Sequence, residues 1–360
     1  MLLLGRASRG ERQPNAWGRT RHAIARRKKE SEDYLRKRLG RSRETPLSSC
    51  GIGCALAMLF VAAPGASAQP RQSSAKKVAP RRTDCGQGVK IQLSSPVASQ
   101  GSLLLVELRS ANPLTDVKGE WNEREVSFWQ EKGPGAARVS TEKALLGVDL
   151  EKPAGKYEFK LAGEAQNGQK VSCIMTVTVK AGRFATENLK VKPQFVEPNP
   201  EQLARADEER KKLRAIFDTV TPERLWKGRF RVPLDGVTTG GNFGRRRVLN
   251  GQPGSPHSGV DFPAITGTPV HAAQSGRVAL AEELYFSGNS VVVDHGLGIY
   301  TFYGHLSEIS VKVGDAVETG AVLGRVGATG RVTGPHLHWG LTVERARVNA
   351  LDIVKLLGVN

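Results

Sequence analysis

Three short glycine-containing motifs near the C-terminus carry the side chains best suited to chemistry. They are H-S-G-V-D, from His257 to Asp261, then Y-G-H-L around His305, and G-P-H-L-H, which contains His336 and His338. Six of the seven histidines lie between His257 and His338. Imidazole nitrogen and carboxylate oxygen are ligands that zinc favours, and a catalytic zinc ion usually has three protein ligands and one water. Two histidines and one aspartate would complete such a site.

The spacing within two of these motifs fits strand geometry, in which side chains two or four residues apart point to the same face. His336 and His338 are then predicted to share a face. His257 and Asp261 share one if their segment is extended, as the intervening Gly259 favours.

The same alternation places Tyr303 and His305 side by side in the run I-Y-T-F-Y-G-H, which is typical of a strand. All three motifs are therefore predicted to line one cleft. His271 and His295 match none of the motif positions, and we interpret both as structural. Arg245–Arg247 precede the first motif; arginine side chains suit substrate carboxylates, and a solvated loop is the alternative.

In this order and spacing the motifs resemble those of zinc metallopeptidases of the lysostaphin/LytM type, which cut peptide cross-links in bacterial peptidoglycan. The resemblance covers about residues 242–352. In that family the first histidine and the aspartate of H-x(3)-D and the second histidine of H-x-H bind zinc. The match implies one Zn²⁺ ion held by His257, Asp261 and His338, and it places the two further active-site histidines on His305 and His336. Relatives that lack ligands are non-enzymatic regulators, whereas all five residues are present here.

The expected reaction is hydrolysis of a cross-link peptide bond by a zinc-activated water, because bound zinc lowers the pKa of water and polarises a carbonyl. The sequence has no H-E-x-x-H motif to supply a glutamate base. Histidine is the natural substitute, since its ordinary pKa of about 6.5 lets it exchange a proton near neutral pH. We assign His305 and His336 jointly to deprotonating or orienting the water and to stabilising the oxyanion. In a Gram-negative-type wall the resemblance implies a D-alanyl to diaminopimelate cross-link, with a glycyl-glycine bridge as the rival.

The N-terminal residues are predicted to direct export. Residues 1–46 form a basic leader without an apolar period, interpreted as disordered or as a start site placed too far upstream. Residues 47–68 have the layout of a signal peptide: the apolar run from Cys50 to Ala63 is short for a membrane span and is followed by Ala66-Ser67-Ala68. An uncleaved anchor is the alternative. Cleavage would leave no membrane span and would place the protein in the periplasm, in the cell envelope or outside the cell.

Removal of residues 1–68 also changes the charge balance. The formal net charge is +18, and these residues contain 14 Lys/Arg against 5 Asp/Glu, which is half of the excess. The remaining basicity suits anionic wall polymers or simply a soluble surface. The sequence shows no basic face interleaved with aromatic residues, which would be expected of a nucleic-acid-binding protein.

The mature chain is predicted to be mainly β, with two domains and a helical connector. Residues 69–82 form a linker, and residues 83–181 form a small immunoglobulin-like β-sandwich of short strands separated by turns. Cys85 and Cys173 are the only cysteines after residue 68, and export permits a disulfide between them. Binding wall material, positioning the peptidase, covering its cleft and acting as a plain spacer are open roles for this domain.

Residues 182–228 are predicted to be a linker that contains a helix, with Asn199 as its cap and an apolar stripe that includes Leu203, Ala206 and Leu213. Residues 229–360 alternate short strands with glycine turns, which fits a compact antiparallel β fold of the lysostaphin/LytM type. Two other functions compete with the peptidase. A wall-binding regulator of an amidase would work after chelation of metal, and a lipoyl- or biotinyl-type carrier domain would need a lysine at a hairpin tip, which the sequence does not provide.

Overall fold

The computed structural model describes residues 79–111, 113–131, 140–237 and 240–357. The predicted leader, the predicted signal peptide and most of the predicted linker 69–82 lie outside these residues. Strands dominate the described part, which confirms the mainly-β class. Within these ranges, no helix combines the length and the apolar character needed to cross a membrane.

The N-terminal part of the described chain is a sandwich of two five-stranded sheets. Its strands are β1 (Arg81–Asp84), β2 (Lys90–Leu93), β3 (Val97–Ser99), β4 (Leu103–Ser110), β5 (Thr115–Trp121), β6 (Arg124–Val126), β7 (Trp129–Gln130), β8 (Ser140–Gly147), β9 (Gly155–Glu164) and β10 (Lys170–Lys180). One sheet has the order β1-β2-β4-β8-β7 and the other β3-β10-β9-β5-β6. Apolar side chains of both sheets form one buried cluster, which defines a sandwich.

Strand β10 shows why these residues form a two-layered fold. Its alternate side chains from Val171 to Val179 are buried, whereas Ile174 on the other face is 58% exposed. Cys173 lies on the buried face and is joined to Cys85, 88 residues earlier, by a disulfide. Closing a loop of this length stabilises the folded chain by about 4.6 kcal/mol in the chain-entropy model. The pairing expected from export is therefore present, while the immunoglobulin-like topology remains a prediction.

The segment after the sandwich contains more structure than the single predicted helix. It begins with β11 (Thr186–Leu189), continues through a 3-10 turn (Pro193–Phe195), and ends with helix α1 (Pro200–Asp218). The predicted cap is present: the Asn199 side chain accepts a hydrogen bond from the Gln202 N–H at 2.8 Å, and the Gln202 side chain accepts one from the Asn199 N–H at 3.0 Å.

The prediction that Leu203 belongs to the apolar stripe of α1 is wrong, because its side chain is 49% exposed. The C-terminal half of the helix packs through Leu213, Ile216 and Phe217 against a small cluster on the C-terminal sheet, and in its N-terminal half Ala206 is buried in a cluster with Phe195 and Tyr285. The helix thus lies against that sheet.

The C-terminal part is built around a nine-stranded, largely antiparallel sheet. The strands of this part are β12 (Arg246–Leu249), β13 (Gln252–Pro253), β14 (Gly259–Pro263), β15 (Pro269–His271), β16 (Gly276–Leu284), β17 (Gly288–Asp294), β18 (Ile299–Ile309), β19 (Ala316–Val317), β20 (Val322–Val326), β21 (His336–Val343) and β22 (Ala346–Val348), followed by helix α2 (Ala350–Leu357). The central order is β14-β21-β18-β17-β16-β19. Strands β12 and β13 instead form a small sheet with β11 of the connecting segment, in which β11 and β12 are parallel.

The sandwich and the C-terminal sheet share a hydrophobic core. Trp129 of the sandwich packs edge-on against Trp226 at a centroid distance of 5.3 Å, and both belong to the cluster that fills the C-terminal part. At the rim of this junction, the Arg347 guanidinium donates hydrogen bonds to Asp149 at 2.7 and 3.0 Å and to Glu151 at 2.7 Å. The sandwich is therefore packed directly against the C-terminal part.

Glu344 makes this junction sensitive to pH. It lies in the two-residue turn between β21 and β22, where Glu344 and Arg345 both have positive φ, and its carboxylate is 3.5 Å from the Ser127 hydroxyl of the sandwich. Burial raises the pKa of the Glu344 carboxyl to about 7, against the opposing effect of hydrogen bonds from Ser127. The folded protein therefore binds this proton more tightly than the unfolded chain does, and stability is lost as the pH rises from about 4.5 to about 7.

We expect Glu344→Gln to remove this loss, because a carboxamide keeps the shape and has no charge to bury. The predicted gain over the wild type at pH 8 is at most about 3 kcal/mol, with little difference at pH 4.5. Chemical denaturation at the two pH values measures it, and Glu308→Gln, at an exposed ion pair with Arg325, is the matched control. Equal pH dependence in the wild type and Glu344→Gln would contradict the assignment.

Candidate metal centre and active site

Two adjacent strands and the loop before one of them bring His257, Asp261 and His338 together. Asp261 on β14 and His338 on β21 are directly opposite each other in the antiparallel ladder, so their side chains point to the same face. His257 lies two residues before β14. Its Nε2 is 3.0 Å from the Asp261 Oδ1 and 2.9 Å from the His338 Nδ1, and the last two atoms are 3.1 Å apart. This is the only group of three or more potential ligands that the described residues bring close enough to share a metal ion.

The hydrogen bond on the far side of the His257 ring fixes its role. Its Nδ1 is 2.8 Å from the Asn242 carbonyl oxygen, which can only accept, so Nδ1 carries the proton and donates. In the neutral ring Nε2 is then a lone-pair donor aimed at the Asp261 carboxylate. Metal-binding histidines commonly donate their other ring N–H to a backbone carbonyl in this way, which fixes the orientation of the ring. The residues fit a cation, which would relieve the repulsion between the converging lone pairs.

Burial and charge support the same interpretation. The His257 side chain is fully buried, and those of Asp261 and His338 are 13% and 12% exposed. Burial alone would raise the pKa of the Asp261 carboxyl, but the adjacent His257 and His338 side chains outweigh it and hold the pKa well below its usual range. Burial lowers the pKa of His338 to about 4, against the opposing effect of Asp261. An ionised carboxylate beside neutral imidazoles is the state that a metal ion requires.

His305 and His336 lie beside this trio. Their ring centroids are 4.8 Å apart, and the His305 ring is 5.9 Å from that of His338. The His305 Nδ1 donates to the Thr329 carbonyl oxygen and the His336 Nδ1 to that of Gly334, both at 2.8 Å. Each ring therefore keeps Nε2 as its proton acceptor, and the His336 Nε2 is 3.6 Å from the Asp261 Oδ1.

The prediction that Tyr303 and His305 lie side by side is wrong. Tyr303 is fully buried in the core, where its hydroxyl accepts a hydrogen bond from the Ala273 N–H at 2.8 Å. Between Tyr303 and Leu306, strand β18 carries an extra residue relative to β17. The chain takes a left-handed conformation at His305, with φ of 63°, and this bulge turns His305 onto the metal face. Bulges commonly redirect an active-site side chain in this way.

Burial and the neighbouring histidines distinguish His305 electrostatically. Burial lowers its pKa to about 3, and the nearby charges of His338 and His336 contribute in the same direction. The ring is therefore neutral at physiological pH.

The metal face opens into a cleft of about 210 Å³, which we call the active-site cleft. Its lining combines Asp261, His305 and His336 with two arginines, Arg247 and Arg331. Sequence analysis pointed to Arg247 within a basic run and missed Arg331, for which no motif gave a signal.

One wall of the active-site cleft comes from the connecting segment, which sequence analysis did not assign to the site. Glu187 and Leu189 of β11, together with Val191, line the cleft. Strand β11 is held there by parallel pairing with β12, as in the pair Leu189 and Leu249.

The two histidines interpreted as structural lie away from the trio. His295 is fully buried, and its two ring nitrogens are 2.8 Å from the Ser275 carbonyl oxygen and from the Thr301 hydroxyl. The His271 Nδ1 donates to the Gly320 carbonyl oxygen at 2.9 Å.

Comparison with known proteins connects this geometry to a family. Residues 255–350 match the model of peptidase family M23. A 97-residue segment is 46% identical to the peptidoglycan DD-endopeptidase ShyA of Vibrio cholerae and covers 27% of this chain and 23% of that protein. The DD-carboxypeptidase/endopeptidase Mpg of Neisseria meningitidis is 40% identical over 97 residues, with 27% and 22% covered. The chain thus spans about a quarter of the length of these curated relatives.

One solved structure is similar over a much larger part of the chain. A protein from Pseudomonas aeruginosa assigned to peptidase M23 matches with a TM-score of 0.51 and 27% identity, covering 74% of this chain and 96% of that one. This coverage exceeds the C-terminal sheet alone, so the likeness includes structure N-terminal to it.

Proposed function

We propose that this chain, which carries a peptidase family M23 domain at residues 255–350, is an exported zinc endopeptidase that hydrolyses cross-link peptide bonds of peptidoglycan. The convergence of His257, Asp261 and His338 within 3.1 Å of one another is the observation that carries the proposal. The relatives named as peptidoglycan DD-endopeptidases support the substrate class. The disulfide between Cys85 and Cys173 supports an oxidising compartment such as the periplasm or cell envelope.

The ligand set favours zinc as the metal. Zinc binds imidazole nitrogen and carboxylate oxygen at about 2.0–2.2 Å in tetrahedral sites, which places ligand atoms about 3.3–3.5 Å apart. The three donor atoms of the trio are 2.9–3.1 Å apart, so a small expansion admits the ion. Three protein ligands leave a fourth position, as catalytic zinc sites do.

The remaining chemistry belongs to His305 and His336. When bound, zinc would lower the pKa of a water molecule and polarise the scissile carbonyl. His305 and His336 hold Nε2 free beside the trio because Thr329 and Gly334 occupy the opposite nitrogens. One of them accepts the proton of the attacking water, and the resulting imidazolium donates a hydrogen bond to the oxyanion. The proton then passes to the departing amine as the peptide bond breaks.

Digestion of purified peptidoglycan tests the proposal. The zinc-loaded protein is incubated with sacculi from a diaminopimelate-containing wall, and the released fragments are identified by mass. We expect cross-linked dimers to be converted to monomers by cleavage between D-alanine and diaminopimelate, with loss of activity on chelation and recovery on zinc addition. Intact dimers after incubation with fully zinc-loaded protein would overturn the proposal, and activity only on walls with glycine bridges would reassign the bond.

A further inference from the structure

Two arginines of the active-site cleft have no acidic partner within hydrogen-bond reach among the described residues, and they lie on the same cleft as the metal-binding trio. Burying a guanidinium without a counter-ion is costly unless a ligand supplies one. Arg247 and Arg331 therefore require an explanation that the hydrolytic residues do not provide.

Arg331 is the clearer of the two. Its guanidinium lies over the Phe286 ring, 4.5 Å from the centroid, which holds the side chain in a fixed orientation. Burial and the nearby positive charge of Arg247 together lower its pKa to about 10. Within the described chain no carboxylate forms an ion pair with it.

Arg247 lines the same cleft as Arg331 and lies near the metal-binding trio. Its side chain is 19% exposed, and its Nε is buried without a hydrogen-bond partner in the described residues. The nearest carboxylate oxygen is the Asp261 Oδ2 at 3.9 Å, beyond hydrogen-bond distance, and that carboxylate is committed to the trio. Glu187, which is the partner of Arg247 in the β11–β12 ladder and also lines the cleft, forms an ion pair with Arg245 at 3.3 Å.

We propose that Arg247 and Arg331 form a carboxylate-binding subsite beside the metal centre, which selects substrates that carry a free carboxylate next to the scissile peptide bond. The inference rests on the proposed function and adds the substrate group that the protein recognises, which is the free carboxylate. Arginine presents its N–H groups in a planar fork that matches a carboxylate. Diaminopimelate, a diamino dicarboxylic acid, keeps a free carboxylate on the carbon whose amine forms the cross-link, whereas a glycine bridge has none at this place. The subsite thus separates the two cross-link types.

A pair of defined cross-linked peptides tests the subsite. The two peptides are identical except that the carboxylate adjacent to the scissile bond is replaced by a carboxamide in one. We expect the wild-type protein to prefer the carboxylate peptide by about 10- to 100-fold in kcat/KM, the range of one or two charge-assisted hydrogen bonds. Arg331→Gln should reduce this ratio towards one, mainly through KM, and Arg331→Lys should restore part of it.

The control is Arg325→Gln, an arginine that is 46% exposed and pairs with Glu308 at 3.5 Å, outside the active-site cleft. It should keep the wild-type ratio. Arg247→Gln is measured together with zinc content, because Arg247 is near the Asp261 carboxylate, and its ratio is interpreted at full zinc occupancy. An unchanged ratio in Arg331→Gln, or a wild-type ratio near one, would overturn the subsite.

Failure of the subsite differs from failure of the proposed function. A protein that cleaves both peptides equally is still an endopeptidase but lacks the subsite. If the wild type cleaves neither peptide, calorimetric titration of the same two peptides into the wild type and Arg331→Gln tests recognition directly. Tighter binding of the carboxylate form that Arg331→Gln abolishes supports the subsite, and equal binding overturns it.

Discussion

Replacing His257 with alanine is expected to abolish metal binding, whereas replacing His305 with alanine is expected to leave the metal bound and remove hydrolysis. His257, Asp261 and His338 converge on one point, and alanine at any of them leaves two ligands where zinc needs three. The loss of zinc affinity should exceed the roughly 10- to 100-fold loss that is typical when a residue hydrogen-bonded to a metal ligand is replaced. His305 instead directs its free Nε2 beside the trio, and loss of a positioned acid or base costs about 10²- to 10⁴-fold in rate.

Zinc analysis after dialysis, combined with turnover of cross-linked muropeptides, separates these two classes of residue. His336→Ala should behave as His305→Ala does, since both rings keep Nε2 free. His271→Ala is the matched control, because that histidine lies off the metal face and should leave both measurements unchanged. Full zinc occupancy with normal hydrolysis in His305→Ala would remove His305 from the mechanism, and full occupancy in His257→Ala would remove it from the ligand set.

The sequence was sufficient for those parts of the site that regular strand geometry controls. His336 and His338 share a face of β21, as their spacing predicts. Asp261 meets His338 because the two residues pair across neighbouring strands, and this long-range register became visible only in the structure. Alternation within a strand is a local property, whereas the pairing of strands depends on the whole sheet.

Alternation failed at His305, where the strand is irregular. A non-glycine residue with positive φ is uncommon, and nothing in the run from Ile299 to His305 signals that it occurs at the last position. The conformation depends on the partner strand, where the Ser287 carbonyl oxygen accepts a hydrogen bond from the His305 N–H at 2.8 Å. Irregularities of this kind concentrate at functional sites, which is where a pattern-based prediction is expected to fail.

The residues that form the walls of the active-site cleft could not be predicted from the sequence either. Residues 182–228 read as a connector because their composition is polar, yet β11 pairs with β12 and places Glu187 on the cleft. Arg331 lies in a turn-rich segment that has no periodicity. In both cases the contact partner is distant in sequence, so no local signal marks the residue.

The glycine of the first motif provides a test of how tightly the metal centre is packed. Gly259 pairs with Gly340 across β14 and β21, directly beside the His338 ring. A Cβ added at Gly259 would lie 2.6 Å from the His338 Cε1 and Nε2 and 2.8 Å from the Trp339 carbonyl oxygen. The backbone oxygen cannot move without disturbing the ladder, so the imidazole has to shift.

Gly259→Ala is therefore expected to displace a zinc ligand from within the strand, with at least about a 100-fold loss of zinc affinity. Overpacking of this kind should also cost about 1–3 kcal/mol of stability, which the folded protein survives. Gly334→Ala, in the third motif, is the matched control: an added Cβ meets no atom within 4 Å, so its zinc affinity and unfolding free energy should stay close to those of the wild type. Zinc titration with a competing chelator and chemical denaturation measure both quantities. Wild-type zinc affinity in Gly259→Ala would show that His338 moves without leaving the metal and that the close contact does not define the site.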